Sequence, residues 1–282
     1  MSDVPGGSVP PPPPPPGTPP GPGSIRPRQF GEIFSAAFEI YKANASKLFI
    51  VVAVVVVPLS LIGAVLVEAL ASPDTHTEEV FGETVTVSDQ TLAAIVIGGL
   101  IGALVVLIIS AVLQAAMVRA AALATIGDPI DIEASYRWGF RRVGSVILVG
   151  LLVGIVIAVG FVLLFVPGVI FLTMLAVSIP ALVIENRRGT EAMKRSWELV
   201  SGNFWHVLGV IFVAYIIVAV VSAIIGAIGG DAWFLSWIFS AIAQIVTVPF
   251  YALVSVLLYL DLRARKEALT ADSLRAELAA NA

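Results

Sequence analysis

Six stretches of this chain are apolar for about twenty residues each, the length at which a helix crosses the roughly 30 Å hydrocarbon core of a bilayer. They run at Leu48–Leu70, Leu92–Leu113, Ser145–Phe165, Gly168–Ile184, Phe204–Ile228 and Phe234–Leu260. Water cannot accommodate that much apolar surface here. Of the 282 residues, 58% are hydrophobic and only 13% charged, where an ordinary soluble domain carries about 25% charge. In lipid only helices and closed barrels satisfy their own backbone groups, and these runs lack the alternation of barrel strands. The expected fold is therefore all-α integral membrane with six transmembrane helices. The fourth run is the shortest, and Pro167-Gly168 predicts a tight hairpin between it and the third.

Charge placement predicts the orientation. The chain's 16 Lys and Arg residues fall in four groups. Arg26, Arg28, Lys42 and Lys47 precede the first span, and Arg119, Arg137, Arg141 and Arg142 separate the second from the third. Arg187, Arg188, Lys194 and Arg195 separate the fourth from the fifth, and Arg263, Arg265, Lys266 and Arg275 follow the sixth. The other connections carry acids instead, Asp74, Glu78, Glu79, Glu83 and Asp89 in the loop from Ser72 to Gln90 and Asp231 after Gly230. Basic loops stay on the cytoplasmic side. The pattern predicts a multi-pass protein of the cell (plasma) membrane with both termini cytoplasmic. Residues 1–24 lack the basic and apolar regions of a cleavable signal, so the first apolar run is expected to serve as an uncleaved insertion signal.

Three basic connections have helical periodicity of their own. Their apolar faces read Phe34, Ala37/Phe38, Tyr41, Ala45; then Ile132, Tyr136, Phe140, Val143; then Met193, Trp197, Val200. Asp128-Pro129 predicts the start of the middle one, an N-cap followed by proline at the first helical position. Helices with one basic and one aromatic face lie well in a membrane interface. The expectation is three units, each an interfacial amphipathic helix plus a transmembrane hairpin, over about 31–125, 129–186 and 189–261. Glu32, Phe38, Glu39 and Asn44 match Glu191, Trp197, Glu198 and Asn203 at a constant offset, as internal repetition would. Pro58, Pro180 and Pro249 each fall inside a span and predict packing kinks. The membrane domain is expected to cover 25–266. It is flanked by a disordered, proline-rich cytoplasmic tail at 1–24 and a short cytoplasmic tail at 267–282. The proline run Pro10–Pro16 reads first as a semi-stiff tail, and alternatively as a ligand for an unknown proline-binding protein partner.

Chemistry is thinly supplied. Without Cys there are no thiolate ligands or nucleophiles. His76 and His206 fall on opposite sides of the expected bilayer, so no metal site, cofactor or catalytic residue is expected, and a net charge of −4 predicts no nucleic-acid partner. Glu68, Arg119, Glu185, Asp261 and Arg263 sit at span ends, where snorkelling to the interface is expected. Gln244, Ser110 and Tyr215 are the deepest polar groups, and a lone Gln usually bonds a neighbouring helix. Gly98/Gly102, Gly150/Gly154 and Gly226/Gly230 have the spacing of helix-contact faces. Val80-Phe81 and Val85-Thr86-Val87 around Gly82-Glu83 allow a small hairpin. The strongest functional hint is the positive charge of Arg137, Arg141, Arg142, Arg187, Arg188, Lys194 and Arg195, candidate contacts for anionic lipid head groups.

The same segments resemble a bacterial family, the membrane domain associated with glycerophosphoryl diester phosphodiesterases. The matching residues are Arg26-Pro27, Gly31-Glu32-Ile33, Ala37-Phe38, Ile40-Tyr41 and Asn44. Further on they are Pro167-Gly168-Val169, Pro180-Ala181-Leu182-Val183-Ile184-Glu185, Ala192 and Arg195 through Trp205. The resemblance implies a multispan membrane fold over roughly Arg26 to Arg265. It implies no reaction here, because the family's catalytic domain is a separate barrel with paired His and acidic ligands that this chain lacks. The expected function is that of a non-enzymatic membrane scaffold or lipid-interacting module. The alternative is a transporter or channel for a small or lipid-like substrate, which requires a polar cavity between the helices.

Overall fold

A computed structural model describes residues 25–71, 75–80, 83–88, 92–229, 233–267 and 269–281. The proline-rich segment 1–24 and the turn at 230–232 lie outside the described residues, as does the side chain of Glu68. The chain forms α1 (Phe30–Ala71), β1 (Thr75–Val80), β2 (Glu83–Ser88), α2 (Leu92–Thr125), α3 (Ile132–Leu163), α4 (Phe165–Met174), α5 (Ser178–Glu185), α6 (Thr190–Val200), α7 (Phe204–Gly229), α8 (Trp233–Lys266) and α9 (Ala271–Ala280). Six segments are long and apolar enough to cross a membrane: Phe30–Gly63, Gly99–Thr125, Ile132–Leu163, Phe165–Glu185, Phe204–Gly229 and Phe234–Lys266. The protein is membrane-embedded. The hairpin expected between the first two spans is present, with β1 and β2 antiparallel in register from Thr75↔Ser88 to Val80↔Glu83.

The last half of α8 is the central post. Leu253, Val254, Val256, Leu257, Leu258, Tyr259, Leu260 and Leu262 are all buried, so this stretch is enclosed on every side by other helices rather than by lipid. The alanine-rich end of α2 (Ala115, Ala116, Ala120, Ala121, Ala122) is fully buried, small side chains allowing close helix approach. Long apolar side chains elsewhere face outward, among them Val162, Leu163 and Phe165, as lipid solvation permits.

Several boundaries differ from those expected. The amphipathic stretches 31–47 and 132–143 are not separate surface helices but the first turns of α1 and α3. Nothing between Lys47 and Leu48, or between Val143 and Ser145, costs enough to stop a propagating helix. Only the third stretch is a helix of its own, α6, set off by Gly189 (φ 56°) and Gly202 (φ 88°), conformations that favour glycine. With 42 residues, α1 extends for about 63 Å, roughly twice the hydrocarbon core. The N-cap of α3 is Asp131, whose carboxylate accepts from the Ala134 N–H at 2.9 Å, and not Asp128. The third and fourth spans part at the extended Leu164, with Pro167 inside the first turn of α4. There its missing N–H costs nothing. The fourth span is itself broken into α4 and α5 at Leu175–Val177, which puts Pro180 in a first turn rather than at a kink.

The glycine pairs also behave differently from their spacing. A Cβ on Gly102, Gly150, Gly154 or Gly226 would meet nothing within 4 Å, so these are not contact faces. Close approach occurs instead at Gly139, where a Cβ would lie 2.9 Å from the Val112 carbonyl oxygen, and at Gly160, where it would lie 2.7 Å from the Phe171 ring. Spacing within one helix does not say where a partner crosses it. Gly139→Ala is therefore expected to destabilise α2–α3 packing by about 1–3 kcal/mol, while Gly154→Ala stays within about 0.5 kcal/mol of wild type. Thermal unfolding of both variants in micelles checks this.

Candidate functional site

At the end of the bundle where the basic residues collect, charged side chains from four helices interlock. The Glu185 carboxylate, at the end of α5 and 8% exposed, accepts from Arg195 Nε of α6 at 2.9 Å and from the Tyr259 hydroxyl of α8. Arg263 Nε lies 3.5 Å from it. Arg263 donates to Glu267 at 3.0 Å and, as a fork, to both carboxylate oxygens of Glu277 on α9 at 2.7 and 2.9 Å. Arg195 completes the ring by donating to Glu267. Nearby, the fully buried Asp261 carboxylate accepts from Arg265 Nε at 2.8 Å and from the Arg28 backbone N–H, with His206 Nε2 3.2 Å away. Charge-assisted, partly bidentate bonds of this kind are the strong ones. Asp261, Arg263 and Glu185 were expected to snorkel to the interface. They are instead paired inside the protein. Arg119 is buried too, but only its Nη2 is bonded, to the Leu278 carbonyl of α9 at 3.3 Å, while Nε and Nη1 have no partner among the described residues.

The expected tail at 267–282 contains a docked helix. Leu274 and Leu278 of α9 are buried, Arg275 forms an ion pair with Asp128 at 3.1 Å, and Asn281 donates to the Ile184 carbonyl at 2.8 Å. Of the seven candidate head-group contacts, Arg195 is held within the ring just described. Arg137 pairs with Glu133, Arg187 with Glu185 at 3.4 Å, and Lys194 with Glu198 at 3.9 Å. Arg141 and Arg188 are exposed and, among the described residues, have no carboxylate partner, while Arg142 is half-buried. The seven do not converge on one site.

The convergence lies elsewhere, between the spans. A cavity of about 560 Å³ is enclosed by α2, α3, α5, α7 and α8. From α2 it takes Ser110 and Gln114, one turn apart. From α8 it takes Gln244, Thr247, Tyr251 and Ser255, spaced three or four residues apart and so on one helical face. Tyr215 of α7 and Tyr251 pack against each other at its wall, ring centroids 5.5 Å apart. The rest of the wall is apolar, including Val146, Ile147, Leu151 and Ile179. Gln244 makes only a long local bond, 3.4 Å to the Ser240 carbonyl. Among the described residues Gln114 and Ser110 have no protein hydrogen-bond partner. Ser110, Gln114 and Gln244 are all exposed, so their polar groups are open to a partner in the cavity. The sequence pointed to Ser110, Tyr215 and Gln244 one at a time. It missed Gln114, Tyr251 and Ser255, whose three- and four-residue spacings were the available signal.

The broken fourth span borders the same cavity through Ala176, Ile179 and Pro180. Irregular backbone at membrane depth must be satisfied from within the protein. The fully buried Ser196 of α6 does this, accepting from the Val177 N–H at 3.2 Å and donating to the Met174 carbonyl at 2.8 Å. A second groove, of about 350 Å³, lies between α1, α7 and α8 and is lined by Phe34, Phe38, Tyr41 and Phe250. Its hydroxyls are already bonded, Tyr41 to the Val246 carbonyl at 3.0 Å and Thr247 to the Ala243 carbonyl at 2.7 Å, so it seeks no polar partner.

These features define a polytopic membrane protein with a polar-lined hollow among its spans and an ion-paired knot at one end. Residues 147–262 match the family described as the membrane domain of glycerophosphoryl diester phosphodiesterase. That range takes in most of α3, all of α4 to α7 and α8 as far as Leu262, and so includes Glu185, Arg195 and four of the five cavity-lining helices. The residues from Arg26 to Asn44 that suggested the same family lie outside it. No curated protein and no solved structure matches the chain.

Two outcomes follow from this geometry. Ser196→Ala leaves two backbone groups at the break without partners and is expected to lower stability by about 1–3 kcal/mol, read as the unfolding midpoint in micelles. Burial tends to raise the pKa of the Glu267 carboxyl, but hydrogen bonds from Arg195 and Arg263 outweigh it and hold the group below the usual carboxylate range. A lowered folded-state pKa stabilises the protein above the unfolded value of about 4.3 and loses that contribution as pH falls below it. Glu267→Gln is thus expected to be less stable than wild type at pH 7, with the gap narrowing as pH falls below about 4.3 and through the lowered folded-state pKa.

Proposed function

We propose that this protein is a non-enzymatic, lipid-interacting membrane module whose bundle holds a lipid-like amphiphile in the cavity between α2, α3, α5, α7 and α8. One observation carries this reading. Gln114 and Gln244, on spanning helices, turn their amides into a roomy space that is otherwise apolar. Neither protein nor hydrocarbon offers them partners, and a bound head group does. Ligand sites of about 300–1,000 Å³ with a few convergent polar groups are the usual form of such pockets. Among the described residues the lining carries no carboxylate, imidazole or amine, which favours holding a ligand over transforming it. Transport of the same amphiphile is the second reading, supported by the break between α4 and α5 at the cavity wall, a feature shared with transporter sites.

We place the basic, ion-paired end on the cytoplasmic side of the cell membrane, because every Lys and Arg in the sequence favours that orientation. In the same reading each basic amphipathic stretch and the two spans that follow it form one of three units. The free Arg141 and Arg188 then lie where anionic head groups gather.

Gly150 tests the cavity. It lines the space, and a Cβ there meets nothing within 4 Å. Gly150→Phe therefore adds its Cβ without a clash and brings a ring to the cavity wall. Native mass spectrometry of the protein extracted with its lipids should find a retained amphiphile on wild type. Its occupancy on Gly150→Phe should fall about tenfold or more, equivalent to at least about 1.4 kcal/mol. Equal occupancy with unchanged helicity and unfolding midpoint would sink this reading.

A further inference from the structure

Building on that reading of the cavity, we infer that its ligand is a lipid with an uncharged, hydroxyl-bearing head, taken up sideways from the bilayer. Two independent features of the site lead there.

The first is the lining. Among the described residues that line it, none is Asp, Glu, Lys, Arg or His. The functional groups it offers are amides (Gln114, Gln244) and aliphatic hydroxyls (Ser110, Ser255), beside two phenols that contact each other (Tyr215, Tyr251). Each amide donates and accepts, and each hydroxyl does both. This set matches a hydroxyl or ester head, which also donates or accepts without net charge. A phosphate or ammonium head would meet no counter-charge. Burying an unpaired ion costs several kcal/mol after relaxation; Arg119 of α2, five residues beyond Gln114, is not among the lining residues, and the arginines Arg195 and Arg263 lie in the knot at the basic end. There Arg195 and Arg263 are already committed to Glu185, Glu267 and Glu277.

The second is the rim. Leu107, Leu151 and Tyr215 line the cavity and are nonetheless 46%, 55% and 54% exposed. All three belong to candidate spans, Gly99–Thr125, Ile132–Leu163 and Phe204–Gly229, in stretches free of charged residues, and we take their exposed faces to look onto hydrocarbon. The opening is lateral. A ligand using it keeps its acyl chains in lipid and draws its head through the apolar zone. That route is cheap for a hydroxyl and costly for a charge.

The experiment compares two lipids that differ only in the phosphate. Wild-type protein is placed in nanodiscs containing a diacylglycerol or a phosphatidate of the same acyl chains at equal mole fraction. Lipid retained on the protein after transfer to detergent is read by native mass spectrometry. Retention of the diacylglycerol at least about tenfold above the phosphatidate, reduced to near parity in the double variant Gln114→Leu, Gln244→Leu, is the expected result. Both changes place an apolar side chain on a face that is already largely apolar, and the wild-type preference is informative even if the variant proves unstable. Phosphatidate retained as well as diacylglycerol overturns the head-group class but leaves the cavity a lipid site. Retention of neither lipid overturns the class and the cavity reading together.

Discussion

One carboxylate organises the basic end of this protein. Glu185 is buried at the last turn of α5, where an uncompensated charge would cost far more than a single helix end could bear. Its partners therefore come from several elements. Arg195 approaches on α6, Tyr259 and Arg263 on α8, and through Arg263 the interaction reaches Glu277 on α9. The short α5 is held at a fixed height against the central post, and α6 is fixed beside it. Everything that follows along α4 and α5, including the break at Leu175–Val177 and the residues that border the cavity, depends on that anchoring.

The two halves of the bundle are correspondingly different. Around the end of α8 the packing is dense and charges are paired. Toward the middle of the spans, polar side chains on α2 and α8 line the cavity. Buried ionic knots are not reliably a source of net stability. A better account of this one is geometric. It specifies one arrangement of α5, α6, α8 and α9, and lets the neighbouring region stay open without collapsing into alternative packings.

Much of the architecture was legible in the residues, for a physical reason. The runs beginning at Leu48 and Phe204 are apolar because their surroundings are lipid, and solvent preference is written into composition one residue at a time. The β1–β2 hairpin was likewise announced by its alternation about Gly82-Glu83. What composition could not convey was pairing. Asp261, Glu185 and Arg263 look like snorkelling residues at span ends until distant segments arrive to enclose them. Gly150 and Gly154 have contact spacing but face no helix, because crossing points depend on two chains of residues and not one. The helix α9 had local signals, Leu274 and Leu278 four apart and a Thr270 cap, yet its docking surface is assembled from α2, α5 and α8. The cavity was half legible. Gln244 stood out alone, but its alignment with Tyr251 and Ser255, opposite Gln114, becomes meaningful only once α2 and α8 lie side by side.

The sequence distance across the knot has a consequence for biogenesis. Tyr259 lies 74 residues beyond Glu185, so when α5 and α6 leave the ribosome most of the groups that will enclose the carboxylate have not yet been made. In that interval Glu185 has Arg195 alone among its later ring partners, and the newly inserted early hairpins must wait beside one another, unlocked, until the sixth span enters the membrane. Assembly of this bundle is thus timed by its last spanning helix, and quality control in the membrane would find its opportunity before that helix arrives.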